Sequence, residues 1–301
     1  MRDKVWGARR LSPFFPDRAE TEPTVGEAWL TEEKTRIASG DHEGETIAAL
    51  MERYGAAQLG DAHRARRAAY FPILTKLLFI EDKLSVQVHP NDRYAAQHEG
   101  DFGKTEMWYV IDARPGASVA LGLNERFEKE RLIAAAESGE IEQALRWVEV
   151  SAGDVISVPA GLLHTMGPGL QICEIQQNSD LTYRFFDFGR PRELHVRKAA
   201  EVIVQAPWPG FTPREGLQGD GTTRELLGAT PYFRAEKLSW SRPIRYRTDR
   251  DHFHIVIVLE GRGVFDGTSY GPGSAFLVPA HAAPFDVEPA EPTETIVAYE
   301  G

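Results

Sequence analysis

GDVISVPAGLLHTMGPG, residues 153–169, reads as a strand running into a turn. Val155, Ile156 and Val158 are β-formers, Pro159 and Gly161 break the run, and His164 stands in the segment that follows. A shorter echo, GPGSAFLVPAHAAP, occupies residues 271–284. Both stretches place a glycine, five residues and then a proline, at Gly153 to Pro159 and at Gly273 to Pro279. The parallel stops at the histidine: eleven residues after Gly153 stands His164, and eleven after Gly273 stands Pro284. The pattern predicts an internal duplication of a β-barrel unit whose second copy has lost its metal site.

Working outward, short β-branched or aromatic runs lie between frequent turn residues, among 27 glycines and 19 prolines. KLLFI, LSVQVHP, MWYVID, SVALGL, WVEVSAG, DVISVPA, LQICEIQQ and TYRFFDFG read as strands in the first part of the chain. YFRAEKLSW, FHIVIVLEG, GVFDG, SAFLVPA, FDVEPA and TIVAYE read as strands in the last. Their close spacing predicts a mainly β protein of sandwich or jelly-roll type rather than alternating βαβ units. Two helical stretches interrupt it, Glu43 to Tyr54 and Arg126 to Trp147, the latter broken at Ser138-Gly139. The Gly- and Pro-rich segment after Pro207 predicts a boundary. The expected organisation is a first domain over 1–205 with a helical insertion at about 124–148, a linker over 206–229, and a degenerate β domain over 230–301.

LSVQVHPNDRYAAQHEGDFGKTEMWYV, residues 84–110, carries the chemistry. Gln87 and His89 are two apart, so on a strand they face the same way. Glu106 lies among strand formers, where an ionised carboxylate is costly to bury without a partner. Each of these side chains has an ordinary structural explanation alone. Together with His164 they form a coherent set of two imidazoles, one carboxylate and one amide, which suits Zn²⁺ or another divalent first-row metal. One anionic ligand leaves such a site with net charge near +1, favouring hydroxyl or carbonyl oxygens of a small molecule. Cations are interleaved with the same segments: Lys76 in TKLLFI, Lys104 two residues before Glu106, and Arg184 in SDLTYRFFD with Asp180 nearby. They predict a place for a phosphate and for an anionic intermediate.

The formal charge of −11 argues against general nucleic-acid binding, and no segment approaches the roughly 20 apolar residues of a membrane span. Cys173 is the only cysteine, which excludes an intramolecular disulfide and a thiolate-rich metal site. A cytoplasmic protein, monomeric or a small homo-oligomer, is expected. His252 and His254 form a second His-x-His, followed by Glu260. With Pro284 in place of the later histidine and His281 out of register, the set is incomplete, and a core-facing pair is expected there.

KVWG at 4–7, GEAW at 26–29, FPILTKLLFIEDKLSVQVHPND at 71–92, GKTEMWYVIDA at 103–113, the 153–169 segment and EIQQNSDLTYRFFDFGRPRELH at 174–195 together resemble the type I phosphomannose isomerases in their short bacterial form. The resemblance covers roughly residues 4–205 and, more loosely, the C-terminal part. It implies a cupin-type jelly roll and a metal-dependent conversion of mannose 6-phosphate to fructose 6-phosphate through a cis-enediol. One Zn²⁺ per chain falls to Gln87, His89, Glu106 and His164. It implies an active-site arginine at Arg184, pocket lysines at Lys76 and Lys104, and pocket positions at Glu27 and Ser85. Asp180, Glu27, Lys104 and His89 are all conceivable as the base. The alternatives on the same fold are another metal-dependent enzyme, such as an oxygenase or a different sugar-phosphate isomerase, and a non-catalytic sugar-binding protein.

Overall fold

The computed structural model describes residues 1–16, 18, 23–55, 59–61, 70–213, 215–219 and 222–301. The chain divides into two units, one of Met1–Arg9, Pro23–Ala28 and Leu77–Thr212, the other of Arg10–Glu22, Trp29–Lys76 and Pro213–Gly301.

Two sheets lie mainly in the first unit, with residues 29–31 and 73–76 of the larger one assigned to the second. One runs in the order β1 (Arg2–Ala8), β2 (Val25–Thr31), β3 (Ile73–Ile80), β10 (Leu170–Gln177), β5 (Glu106–Ala113) and β8 (Val155–Val158). The other runs β11 (Tyr183–Phe186), β4 (Val86–Val88), β9 (His164–Met166), β6 (Ser118–Leu123) and β7 (Leu145–Glu149). Alternation along the strands sends Trp108, Val110, Ile156, Val158 and Ile172 into one buried core with Leu121 and Met166.

The second unit repeats the arrangement. Its larger sheet is ordered β12 (Glu215–Gly219), β13 (Thr222–Ala229), β14 (Phe233–Trp240), β21 (Thr293–Glu300), β16 (His254–Glu260) and β19 (Ala275–Val278). Its smaller sheet is ordered β15 (Ile244–Tyr246), β20 (Phe285–Pro289), β17 (Gly263–Phe265) and β18 (Thr268–Tyr270). Strand for strand, β1-β2-β3-β10-β5-β8 matches β12-β13-β14-β21-β16-β19. The motif glycines that precede β8 and β19 both take the left-handed conformation, φ 91° at Gly153 and 87° at Gly273, which favours a residue without Cβ. The duplication expected from two short motifs thus extends through the whole barrel.

Equivalent positions follow from the registers. Glu106 faces Val158 across β5–β8, and His254 faces Val278 across β16–β19, so His254 stands where Glu106 does in the other copy. Aromatic rings fill the rest of the second cup. Tyr246 pairs with Phe285, their rings stacked 5.5 Å apart, and the Tyr246 hydroxyl lies 2.9 Å from His254 Nδ1. Burial lowers the pKa of His254 to about 4, so the ring is neutral. His252 is not core-facing: it turns to Asp249 at 3.0 Å. Among the described residues no second group of metal-ligating side chains forms here.

Four expectations are corrected. The 206–229 segment is not a linker throughout, because β12 and β13 form a hairpin at the sheet edge. A hairpin at a sheet edge pairs on one side only, and its Gly-rich composition resembles a loop. Residues 29–76 belong to the second unit instead of the first. The helical insertion is α3 (Lys129–Ser138) and α4 (Ile141–Ala144), broken at Gly139 (φ 85°) as expected, but the strand β7 takes over at Leu145 before Trp147. The first expected helix begins later too, as α1 (Ile47–Tyr54), where the Thr46 hydroxyl accepts from Ala49 N–H and caps it. Two further helices, α2 (Asp92–His98) and α5 (Val196–Val202), are short and escaped the pattern. None of the described helices is long and apolar enough to cross a membrane.

Candidate metal centre and active site

In β4, Val86 and Val88 point into a core with Leu163 and Phe185, which turns Gln87 to the opposite face. Gln87 lies directly across from His164 on one side and Arg184 on the other. His89 follows just past the strand end, and Glu106 opens β5. One ligand atom each from His89, Glu106 and His164 lies within 4.8 Å of the others, and all three residues are only 1% exposed.

Backbone carbonyls set the tautomers. His89 Nδ1–H donates to Leu181 O at 2.9 Å and His164 Nδ1–H to Leu162 O at 2.8 Å, leaving both Nε2 lone pairs aimed into the cup. Burial and then the Lys104 charge lower the pKa of His89 to about 3, and burial lowers that of His164, so both rings are neutral. Glu106 is the opposite case. Burial alone would raise its pKa, but the Lys104 ammonium 2.9 Å from Oε1, together with His89 and His164, outweighs it and holds the carboxyl well below its usual range. Trp108 Nε1–H donates to the other oxygen, Oε2, at 3.0 Å.

The arrangement fits a metal ion. His89 Nε2 and Glu106 Oε1 face each other at 3.2 Å, yet both are buried without a hydrogen-bond partner among the described residues. Oε1 is ion-paired with Lys104, whereas the His89 Nε2 lone pair left without a donor costs ~1–3 kcal/mol, a penalty that a shared cation removes. Tetrahedral coordination with bonds of roughly 2.0–2.1 Å puts donor atoms about 3.3 Å apart. The spacing here is 3.2 Å for that pair and 3.3 Å between the Gln87 amide and His164 Nε2. Gln87 presents its amide N–H to His164, and a half-turn of the amide presents Oε1 in its place.

Lys104 is 3% exposed and lies in the loop before β5, so it reaches Glu106 from outside the strand. The loop is tied at each residue: Gly103 N–H to Asp92 Oδ1 (2.8 Å), Lys104 N–H to Pro90 O (3.0 Å) and Thr105 N–H to Gln177 Oε1 (2.9 Å). A Cβ on Gly103 would meet the Asp92 backbone nitrogen at 2.4 Å. Gly103→Ala is therefore expected to lower stability by ~1–3 kcal/mol and to displace the Lys104 ammonium. Urea unfolding and turnover check this, with a fall in kcat exceeding any change in metal content.

Arg184 donates from Nη1 to Glu193 O at 2.7 Å, while its buried Nε has no hydrogen-bond partner among the described residues. Asp187, itself buried, holds Arg190 and Arg192, which adds two guanidinium groups near Arg184. Ser85 is buried and its hydroxyl lies 3.5 Å from Gln87 Oε1. Glu27 pairs with Lys4 at 3.1 Å. Asp180 is exposed, and it is the carbonyl of its neighbour Leu181 that reaches the site, through His89. Lys76 belongs to the other unit, where it is buried against the Trp29 ring at 4.9 Å.

Three residues went unrecognised in the sequence: Glu174, Gln176 and Trp108. Glu174 is 5% exposed and lies across from Trp108, with Gln176 across from Glu106, so both share the face of the cup. The signal was present as a carboxylate inside the apolar run LQICEIQQ, the same anomaly that marks Glu106. Trp108 read simply as a strand former. Cys173, also in β10, is fully buried and its thiol pKa is raised by that burial, so it is no nucleophile.

Comparison with known proteins agrees with this geometry. Residues 1–120 match the family model for phosphomannose isomerase type I, catalytic domain. A mannose-6-phosphate isomerase of Streptococcus mutans is 36% identical over 274 residues, covering 87% of this chain and 84% of that protein. Mannose-6-phosphate isomerase ManA of Bacillus subtilis is 36% identical over 278 residues, covering 87% and 84%. The crystal structure of the mannose 6-phosphate isomerase from Bacillus subtilis superposes with a TM-score of 0.87 at 30% identity, covering 99% of this chain and 96% of that one. The jelly-roll units are thus cupin barrels, and the chain belongs to the type I phosphomannose isomerase family.

Proposed function

We propose that the protein interconverts mannose 6-phosphate and fructose 6-phosphate at the His89–Glu106–His164 cup. The observation that carries the reading is the pair of buried ligand atoms facing each other at 3.2 Å, His89 Nε2 without a hydrogen-bond partner among the described residues and Glu106 Oε1 ion-paired with a buried ammonium. Family membership supplies the sugar. Two neutral imidazoles, one carboxylate and an amide favour Zn²⁺ as the ion. When bound, the metal supplies positive charge that lowers the energy of a developing enediolate.

The chain's own groups do the rest. Isomerisation removes the C2 proton of the open-chain aldose, passes through a cis-enediolate and returns a proton to C1. Lys104, charged and shielded from water, stabilises the enediolate oxygen. His89 does not serve as the base, because Leu181 O occupies Nδ1 and Nε2 belongs to the ligand set. Arg184 supplies a guanidinium for the anionic substrate, and Ser85 takes the pocket position that the family resemblance implies for it. Glu27 takes a pocket position on the same ground, and Asp180 and Glu27 stay, with Lys104, conceivable as the base.

Conversion in D₂O tests the reading. A proton-transfer route places deuterium at C1 of fructose 6-phosphate, read by NMR at low conversion. Product without deuterium would indicate a hydride shift, and no product from folded, metal-loaded protein would refute the assignment of this sugar.

A further inference from the structure

We infer that Trp108 is a positioning residue for the metal site, holding the Glu106 carboxylate so that one oxygen is kept for the ion. The inference rests on the metal reading above. Trp108 and Glu106 are two apart on β5 and therefore share a face. The indole N–H donates to Glu106 Oε2 at 3.0 Å, both residues are almost completely buried, and indole has no acceptor with which to take another role. With Oε2 engaged, Oε1 is the oxygen that faces His89 Nε2 at 3.2 Å and Lys104 Nζ at 2.9 Å. The same indole ring meets the His164 ring edge-on, 5.4 Å between centroids. One side chain thus contacts two members of the ligand set.

Core filling alone does not account for a tryptophan here. In the second barrel, which lacks the ligand set, the register pairs Val256 with Phe276 as it pairs Trp108 with Ile156. Val256 is equally buried, so the barrel closes at this position with a small apolar residue. The indole and its N–H accompany the carboxylate ligand.

The test replaces Trp108 with 3-benzothienylalanine, which keeps the bicyclic outline and puts sulfur in place of N–H, alongside Trp108→Phe. Three readouts are taken: the Zn²⁺ Kd of the apo-protein by competition with a chromophoric chelator, the visible bands of the Co²⁺-loaded protein, and the thermal midpoint of the apo-protein. Loss of an outer-shell contact predicts a Kd ~10–100-fold weaker. The Co²⁺ bands should shift, and the apo midpoint of the benzothienyl variant should stay near wild type. A Kd within twofold of wild type, with unchanged Co²⁺ bands, overturns the inference, as does a fall in the apo midpoint without a change in Kd. Should Trp108→Phe fail to fold, the isosteric variant still decides. Failure of the wild-type protein to bind Zn²⁺ or Co²⁺ would overturn the underlying metal reading, an outcome separate from the others.

Discussion

Glu106→Gln is expected to lower isomerase activity at least ~10³-fold and to strip the protein of metal during gel filtration, a larger effect than the roughly 10–100-fold that follows loss of an outer-shell contact. Glu106 is the one anion in the ligand set, and its charge does two jobs. It neutralises half of the charge on a divalent ion, and it balances the Lys104 ammonium, whose side chain is 4% exposed. Glutamine keeps the shape and removes both functions. Breaking a buried ion pair from one side costs ~3–5 kcal/mol, so the variant should also unfold at lower urea. Metal analysis, turnover and the urea midpoint, measured on the same preparation, check the prediction. Full metal occupancy with activity within tenfold of wild type would contradict it.

Lys104→Met separates charge stabilisation from metal retention. Methionine preserves much of the stem and removes the ammonium, while all four ligand candidates stay in place. Turnover should fall ~10²–10³-fold, the range seen when one group that stabilises an oxyanion is lost. Metal should be retained at neutral pH, but its pH dependence should move. In the wild-type protein burial raises the pKa of Glu106, and the Lys104 charge together with His89 and His164 more than offsets it, so the folded pKa is depressed. A ligand with a depressed pKa binds metal above that pKa and loses it as pH falls through it. Removing the ammonium raises the pKa, so half-loss of metal should occur at a higher pH than in wild type. Unchanged turnover would show that the Lys104 charge plays no part in the chemistry.

Much of this was legible in the chain because the chemistry sits on strands. Gln87 and His89 share a face by spacing alone, and Glu106 announces itself as a carboxylate among apolar β-formers. His164 is marked by its loss at Pro284 in the second copy. The fold was legible for the same reason: strands buried on a core-facing side carry β-branched and aromatic runs that turns punctuate. What escaped has physical causes as well. The β12–β13 hairpin lies at a sheet edge, and its Gly-rich, polar composition imitates a linker. Assignment of residues 29–76 to the second unit depends on packing between segments far apart in sequence. The contact from Trp108 to Glu106 and the facing of Glu174 onto the cup depend on the β5–β10 register, which local pattern does not encode. Asp180 is exposed, and the contact to His89 comes from the adjacent Leu181 carbonyl, a backbone contribution that side-chain pattern does not encode.

The most direct test of the central claim is the rate of mannose 6-phosphate conversion by protein as purified, after exhaustive EDTA treatment, and after stepwise return of Zn²⁺, with bound metal counted at each stage. A cup built from His89, Glu106 and His164 predicts that activity disappears with the metal and returns in proportion to it, reaching full rate at one ion per chain. Full activity in protein shown to be metal-free would contradict that account of the site.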